Sequence, residues 1–548
     1  MHKWVVHEVL ADAAYQYPLV EVVSGGHRYT YAQEYERVLR LANSLQKLGI
    51  AQGTVVGVMD VNSHRYLELK YALSMLGAVI HTINFRLPAE DLVYTIQHAK
   101  DEWLFLWAGF GDGAIRLAAL FPQVVWLEDE DGGDIPPEHA LVFEKLVETG
   151  QVVEPSQASR VDETDPYSIF YTTGTTGRPK GMLYRHRDML MASLQIAHHL
   201  AIHDTGARVD AESVVMPLIP FFHIHGWGVP FFAPYLGAKL VLPERANAKE
   251  QLELIRQEEV TWSNMVPTQL QMLLTEMSPQ MEQSQHAPSG GDLGSEQGRH
   301  VLRVLTGGSP LSTGLAKRAA EAGVTYALIY GGSDQLGTSI TTAAGLTGAQ
   351  RLSRLATRMT PFPMVRVEVR DGDNHLVPWD GASLGEMWVQ SPWLPTGYLH
   401  DPERSRGVYK DGWFRSGDLA VRYPDGSFYV ADRVKDAVKS GGEWIATSVI
   451  EAVLSEVPGI QAAAVVAAPD ERWGERPVAV VQADPRVEEA TVRAHLQAAV
   501  TSGRLAKFWV PDRIEFVTAL PITSAGKIHK VQLRQNLGLT SQGSIDTL

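Results

Sequence analysis

Ser168-Ile169-Phe170-Tyr171-Thr172-Thr173-Gly174-Thr175-Thr176-Gly177-Arg178-Pro179-Lys180-Gly181 is the stretch on which the reading of this chain turns. Ser168 to Tyr171 is a short apolar run that reads as a buried strand. It leads into a segment dense in threonine and glycine that closes on Lys180. Glycines let backbone N–H groups approach an anion, hydroxyls donate further hydrogen bonds, and a lysine adds a point charge. The segment therefore reads as a phosphate grip. It is not the G-x-x-x-x-G-K-[ST] loop, because Gly181 follows Lys180 where that loop needs a hydroxyl for metal.

Working outward, short apolar runs alternate with helical stretches. Strands are predicted at Thr54–Met59, Trp103–Trp107, Val124–Leu127, Ala238–Leu242, Val301–Thr306 and Tyr326–Tyr330. Thr30 and Gln33 form a capping-box signature before Val38, Leu41, Leu45 and Leu48, which recur at helical spacing up to Gly49. This alternation predicts α/β architecture with largely parallel sheets. Gln280 to His300, rich in Gln, Ser, Gly and Glu, reads as an exposed loop. From about Ala462 the pattern restarts on a smaller scale, with strands around Val465-Val466 and Val478–Val481 and a helix from Val487 to Val500. The expectation is a large N-terminal domain of βα subdomains over 1–433 and a small α+β C-terminal domain over 434–548, with the junction within Asp432 to Gly442.

The 548 residues suit several such units, and the 45% hydrophobic content is ordinary globular usage. Cysteine is absent, which excludes disulfides, cysteine metal sites and a cysteine nucleophile. A formal charge of -15 argues against nucleic acid and anionic membranes as partners, leaving at most peripheral membrane contact. The first residues show no secretory signal pattern, so a soluble, cytoplasmic protein is expected. His223-Ile224-His225 could offer two ligands to zinc, but the sequence places no third.

The segment Tyr171 to Gly181 resembles the signature loop of the adenylate-forming superfamily. The resemblance extends in order along the chain. It runs through Pro220-Phe221-Phe222-His223-Ile224-His225-Gly226, Gly307-Gly308-Ser309-Pro310-Leu311, Tyr330-Gly331-Gly332-Ser333-Asp334, Gly412-Trp413-Phe414-Arg415-Ser416-Gly417-Asp418, Asp432-Arg433-Val434-Lys435-Asp436 and Pro521-Ile522-Thr523-Ser524-Ala525-Gly526-Lys527. It implies a two-step reaction. A carboxylate and ATP give acyl-AMP and pyrophosphate, and a thiol then displaces AMP. A carboxylic acid is already ionised at neutral pH, so the first step calls for charge neutralisation and alignment of two anions.

The resemblance also implies roles. Lys527 lies between the substrate carboxylate and the α-phosphate. Thr172, Thr173, Gly174, Thr175, Thr176, Gly177 and Lys180 grip the phosphates. Gly308, Tyr330, Gly331 and Ser333 form the adenine pocket, with Tyr330 stacking on the base. Asp418 accepts from the ribose hydroxyls and Arg433 helps hold the nucleotide. Thr172 and Asp334 contact Mg²⁺, a hard cation that takes oxygen ligands. Ser333-Asp334 stands where the family has Thr-Glu, so the carboxylate arm is one methylene shorter. Lys435 is the hinge about which the C-terminal domain rotates, bringing Lys527 for one step and Lys439-Ser440-Gly441-Gly442 for the other.

Gly441-Gly442-Glu443-Trp444-Ile445 and His81-Thr82-Ile83-Asn84-Phe85-Arg86-Leu87 resemble fatty-acyl members. His223, Ile224, Trp227 and Trp444 are the expected acid-binding residues. Phe221, Phe222, Val229, Phe231 and Phe232 are expected to add apolar lining without a basic residue. The implied activity is conversion of a hydrophobic acid, medium- or long-chain fatty, to its CoA thioester. A carrier-protein acceptor, another carboxylic acid, and a silent nucleotide-binding regulator are the alternatives. ATP, Mg²⁺ and CoA are the implied ligands, and analogy adds a homodimer. His198-His199 is read as the polar end of a helix.

Overall fold

A computed structural model of the chain describes residues 3–128, 140–172, 178–284, 301–521 and 528–539. The chain forms two compact units, Met1–Val365 with Ser391–Gly412, and Arg366–Gln390 with Trp413–Leu548. Among the described residues, no helix is long and apolar enough to cross a membrane.

The first unit carries the predicted βα alternation. One seven-stranded sheet runs in the order Leu141–Val142, Val124–Leu127, Trp103–Trp107, Val55–Met59, Val79–Thr82, Pro166–Thr172 and Lys180–Arg185. Its pairs are parallel up to the last, where Lys180–Arg185 folds back antiparallel and sets Lys180 opposite Thr172. Trp103–Trp107 is buried throughout, as a parallel strand covered on both faces should be. A second parallel run pairs Lys239–Leu242, Val214–Pro217, Trp262–Met265, Arg303–Gly307 and Thr325–Gly332, and Leu336–Thr341 then turns back antiparallel. The capping box is present. The Gln33 N–H donates to Thr30 Oγ1 at 3.3 Å and the Thr30 N–H to Gln33 Oε1 at 2.9 Å, opening the helix Tyr31–Lys47.

Two boundaries differ from the sequence reading. The helix Pro267–Ser284 takes up Gln280 to Ser284, the start of the predicted loop, and the rest of that loop lies outside the described residues. The strands Trp413–Arg422 and Phe428–Arg433 group with the second unit rather than closing the larger domain. There they form an antiparallel sheet with Arg366–Arg370 and Gly385–Gln390. The Asp432 carboxylate also accepts from Thr447 Oγ1 at 2.6 Å and from the Ser448 N–H at 3.1 Å, at the start of the helix Thr447–Ser455. A carboxylate at a helix N-terminus satisfies donors that have no partner in the helix.

The remainder of the second unit is α+β. Its five-stranded sheet pairs Glu443–Ile445, Val438–Ser440, Gly474–Ala483 and Ile460–Asp470, with Arg513–Val517 added parallel. The helices Thr447–Ser455 and Glu489–Thr501 cover it through Ile450, Leu454, Val492 and Leu496.

Candidate active site

The first unit contains a cleft of about 500 Å³, counting its open mouth. His223, Ile224, Trp227, Gly308 and Gly331, all singled out in the sequence, line it together. Ile224 and Trp227 arrive there through an unusual backbone. Every residue from Ile224 to Gly228 has positive φ, between 40° and 81°, so the chain makes a left-handed turn. That turn explains a departure from expectation. Phe221, Phe222, Phe231 and Phe232 are buried but do not line the cleft. They pack into the core instead, Phe221 edge-on to Tyr66, Phe222 to Phe85, and Phe232 to Trp262. Val229 is likewise buried outside the lining.

The opposite wall is one the sequence reading missed. Met189, Ala192, Ser193 and Ile196 project from the helix His186–Ile202. Their i, i+3, i+4, i+7 spacing is one helical face, visible in the sequence but indistinguishable there from ordinary core packing. Ile329, Leu336 and Gly337 also line it, and among the described residues no Lys, Arg, Asp or Glu borders the cleft. Further along the same helix, His199 is fully buried rather than a polar end, and burial pushes it down to about 3.

Two glycines at the cleft, Gly228 and Gly331, are sterically required. A Cβ on Gly331 would lie 2.1 Å from the Leu336 carbonyl oxygen, and one on Gly228 would lie 2.7 Å from Ser193 Oγ. Gly308 has φ of 79°. Tyr330, half-buried, pairs with Ser339 in register.

A second group of residues gathers around Tyr398, which the sequence reading did not single out. Lys180 Nζ lies 4.6 Å from the centre of its ring. Burial and the nearby Asp334 carboxylate, which accepts its hydroxyl, push the Tyr398 phenol well above its usual range. The Tyr409 hydroxyl donates to the Asp334 carbonyl at 2.7 Å, and the Tyr184 hydroxyl to the Ser333 carbonyl at 2.6 Å. The Ser333-Asp334 turn is thus fixed by tyrosine hydroxyls, and the Asp334 carboxylate is brought into one group with Lys180 and, through strand register, Thr172. Thr173, Gly174, Thr175, Thr176 and Gly177 lie outside the described residues, as does Lys527. Among the described residues, no group of three His, Asp or Glu side chains could hold a metal by itself. His225 is fully buried with Nε2 at 2.8 Å from Ser168 Oγ, whereas His223 is exposed.

In the second unit Asp418 and Arg433 pair across adjacent strands, Arg433 Nε to Asp418 Oδ1 at 2.7 Å. Lys435 and Lys439 are exposed. The hairpin Val438–Ser440 and Glu443–Ile445 sets Lys439 opposite Trp444, with the ammonium 5.1 Å from the indole. Gly441 and Gly442 turn it with φ of 59° and 89°. Trp444 belongs to this second unit.

Comparison with known proteins gives the class. The family model for AMP-binding enzymes matches residues 10–399, and that for the C-terminal domain of AMP-binding enzymes matches residues 449–527. The chain is 34% identical over 518 residues to a long-chain-fatty-acid–CoA ligase of Thermus thermophilus, covering 93% of this chain and 90% of that protein. It is 30% identical over 547 residues to a peroxisomal trans-cinnamate:CoA ligase of Petunia hybrida, covering 94% and 90%. A solved anthranilate CoA ligase in complex with anthranoyl-AMP shares the fold, with a TM-score of 0.79 at 22% identity over 98% of each chain. The chain belongs to the AMP-binding enzymes of the adenylate-forming superfamily, among its acyl-CoA ligases.

Proposed function

We propose that this protein activates a hydrophobic carboxylic acid, medium- or long-chain fatty, and passes it to CoA. The observation that carries this reading is the cleft itself. Met189, Ala192, Ile196, Ile224, Trp227, Ile329 and Leu336 offer apolar surface, and among the described residues no Lys, Arg, Asp or Glu lines it to pair with a second ionic group on the substrate. Burying such a group unpaired would be costly, so amino and dicarboxylic acids are disfavoured.

In the first step a carboxylate oxygen bonds to the α-phosphorus of ATP, and the bond from that phosphorus to the bridging oxygen breaks, releasing pyrophosphate. Lys527 neutralises the approaching anions, Lys180 and the threonine–glycine loop hold the phosphates, and Asp418 accepts from the ribose. The Thr172 hydroxyl and the Asp334 carboxylate would hold Mg²⁺, which would supply charge neutralisation on the phosphates. The fit is reasonable, because both donors are oxygens and a carboxylate can accept from more than one group besides Tyr398. In the second step the CoA sulfur attacks the acyl carbon, the thiol proton is lost, and AMP leaves with the electron pair of the broken C–O bond. The chain has no cysteine, so the thiol must be external. The second unit turns about Lys435 between the steps and presents Lys439 and the Gly441-Gly442 hairpin to the pantetheine arm.

A panel of aliphatic acids of graded length together with aromatic acids, scored for AMP and for acyl-CoA with free CoA, tests the reading. Turnover rising with chain length supports it. No product from any acid overturns it, and AMP without acyl-CoA points to a carrier-protein acceptor. Lys527→Ala should abolish acyl-AMP formation, whereas Lys435→Pro should leave that step and slow thioester formation. Equal loss of both steps in both variants would refute the domain rotation.

A further inference from the structure

Three of the residues in the left-handed turn, Ile224, His225 and Trp227, are not glycine. For such residues the left-handed region costs on the order of 1–2 kcal/mol each, and most for a β-branched side chain such as Ile224. A turn of this kind persists only where its surroundings over-determine it. Its internal bonds are few. The Gly226 N–H donates to the His223 carbonyl at 3.0 Å, and the Gly228 N–H to the His225 carbonyl at 3.0 Å.

The remaining restraint comes from buried polar side chains on other elements. Asn264, fully buried on the strand Trp262–Met265, serves two backbone segments at once. Its Nδ2 donates to the Gly226 carbonyl at 2.8 Å, and its Oδ1 accepts from the N–H groups of Leu218 and Ile219 at 3.2 and 3.3 Å. Asn62 holds the approach to the turn, with Oδ1 accepting from the Phe221 N–H at 2.7 Å. His225 is locked from the far side. Its Nε2 meets Ser168 Oγ at 2.8 Å, and Tyr167, Phe170 and Phe231 enclose the ring. Burial, with a lesser push from the Lys70 charge, holds this imidazole well below its usual range and therefore neutral.

We propose that Asn264 and His225 are positioning residues for the acid. They keep Ile224 and Trp227 in the left-handed conformation that shapes the cleft, and they touch neither acid nor nucleotide. Asparagine suits the first position because one end of the amide must donate while the other accepts. Aspartate keeps the size but cannot donate to the Gly226 carbonyl, and it adds a buried charge. This inference rests on the reading that the cleft holds the acid.

The test is acid-dependent ATP–pyrophosphate exchange on the full chain, with KM measured separately for a fatty acid and for ATP. Loss of a buried hydrogen-bond partner supports an expected rise of roughly tenfold or more in acid KM for Asn264→Asp, with ATP KM changed less than about twofold. His225→Leu should raise acid KM similarly, while His225→Gln, which restores an amide toward Ser168, should recover most of the loss. If Asn264→Asp does not fold, Ser168→Ala, which removes one oxygen, makes the same comparison. An acid KM that stays unchanged, or an ATP KM that rises in step with it, overturns the inference. Exchange absent from the unmodified protein with every acid would instead overturn the reading of the cleft.

Discussion

The two units handle their functional residues in opposite ways. In the first, Ile224 and Trp227 are each 8% exposed, and the backbone beneath them is held by buried amides, hydroxyls and a neutral histidine. In the second, Lys435, Lys439, Gly441 and Gly442 stand at the surface, the last three on the hairpin Val438–Ser440 and Glu443–Ile445. On the proposed reading the cleft selects an acid by shape, and such a cleft needs its walls fixed before the ligand arrives, or affinity is lost in ordering them. The hairpin proposed to meet the thin, flexible pantetheine arm needs reach and backbone access more than rigidity. The difference also appears in titratable groups. The buried histidines among the described residues, including His7, His64, His186, His199 and His225, all lie in the first unit.

Acid should therefore open the first unit before the second, and this is the largest effect expected. Burial holds His7 at about 4 and His64, His186 and His199 at about 3, below the ordinary 6.5. Below pH 6.5 the unfolded chain takes up protons that the folded chain refuses. Each such group then withdraws about 1.4 kcal/mol of stability per pH unit, down to its folded value. Glu68, pushed up to about 7 by burial, and Glu34, also raised, act the other way, favouring the fold below about pH 4.5 and losing that contribution as pH rises toward 7. Asp60, Asp101 and Glu128, also raised by burial, act as the two glutamates do, so loss on acidification is expected most clearly where buried histidines stand without such a carboxylate, as His186 and His199 do in the helix His186–Ile202. Hydrogen exchange read by segment and corrected for intrinsic rates should show the helix His186–Ile202 opening between pH 6.5 and 4, with Ile460–Ala483 little changed. Equal loss of protection in both units would break the comparison.

A glycine pair sharpens it next. Gly228→Ala would drive a Cβ to 2.7 Å from Ser193 Oγ at a φ of 81°, for a destabilisation of about 2–3 kcal/mol. Acid-dependent exchange should fall with it. Gly442→Ala, at a φ of 89° with nothing within 4 Å, should cost only about 1 kcal/mol. It should slow thioester formation and leave exchange intact. Thermal unfolding with the two half-reactions assayed separately checks both, and a Gly442→Ala variant as unstable as Gly228→Ala would contradict the contrast. The smallest effect belongs to Lys439→Ala. An exposed lysine over a tryptophan face is worth about 0.5–1 kcal/mol. The expected result is a melting temperature within a few degrees of the unmodified protein and a loss confined to acyl transfer to CoA.

Part of the cleft was legible through the family resemblance, since His223, Ile224, Trp227, Gly308 and Gly331, each singled out in the sequence, line it together. The threonine–glycine loop stood out by residue type alone, and its residues from Thr173 to Gly177 lie outside the described residues. The helical face Met189, Ala192, Ser193 and Ile196 was present but ambiguous, since apolar residues at that spacing mark any buried helix. Tyr398 offered no local cue. Its part depends on meeting Asp334 and Lys180, which come from distant points of the chain. The left-handed turn ran against local preference at Ile224, and only Gly226 and Gly228 hinted at it.

By itself the sequence determined the alternation of strands and helices, the capping box at Thr30 and the family, because each rests on short-range periodicity or on adjacent groups. The tertiary structure alone decided that the aromatic residues around His223 face the core, that Asp334 is held by tyrosines, and that Trp413–Arg433 packs with the second unit. These outcomes depend on contacts between residues far apart in the chain. Such contacts supply the hydrogen bonds and packing that outweigh local conformational preference, and local patterns do not encode them.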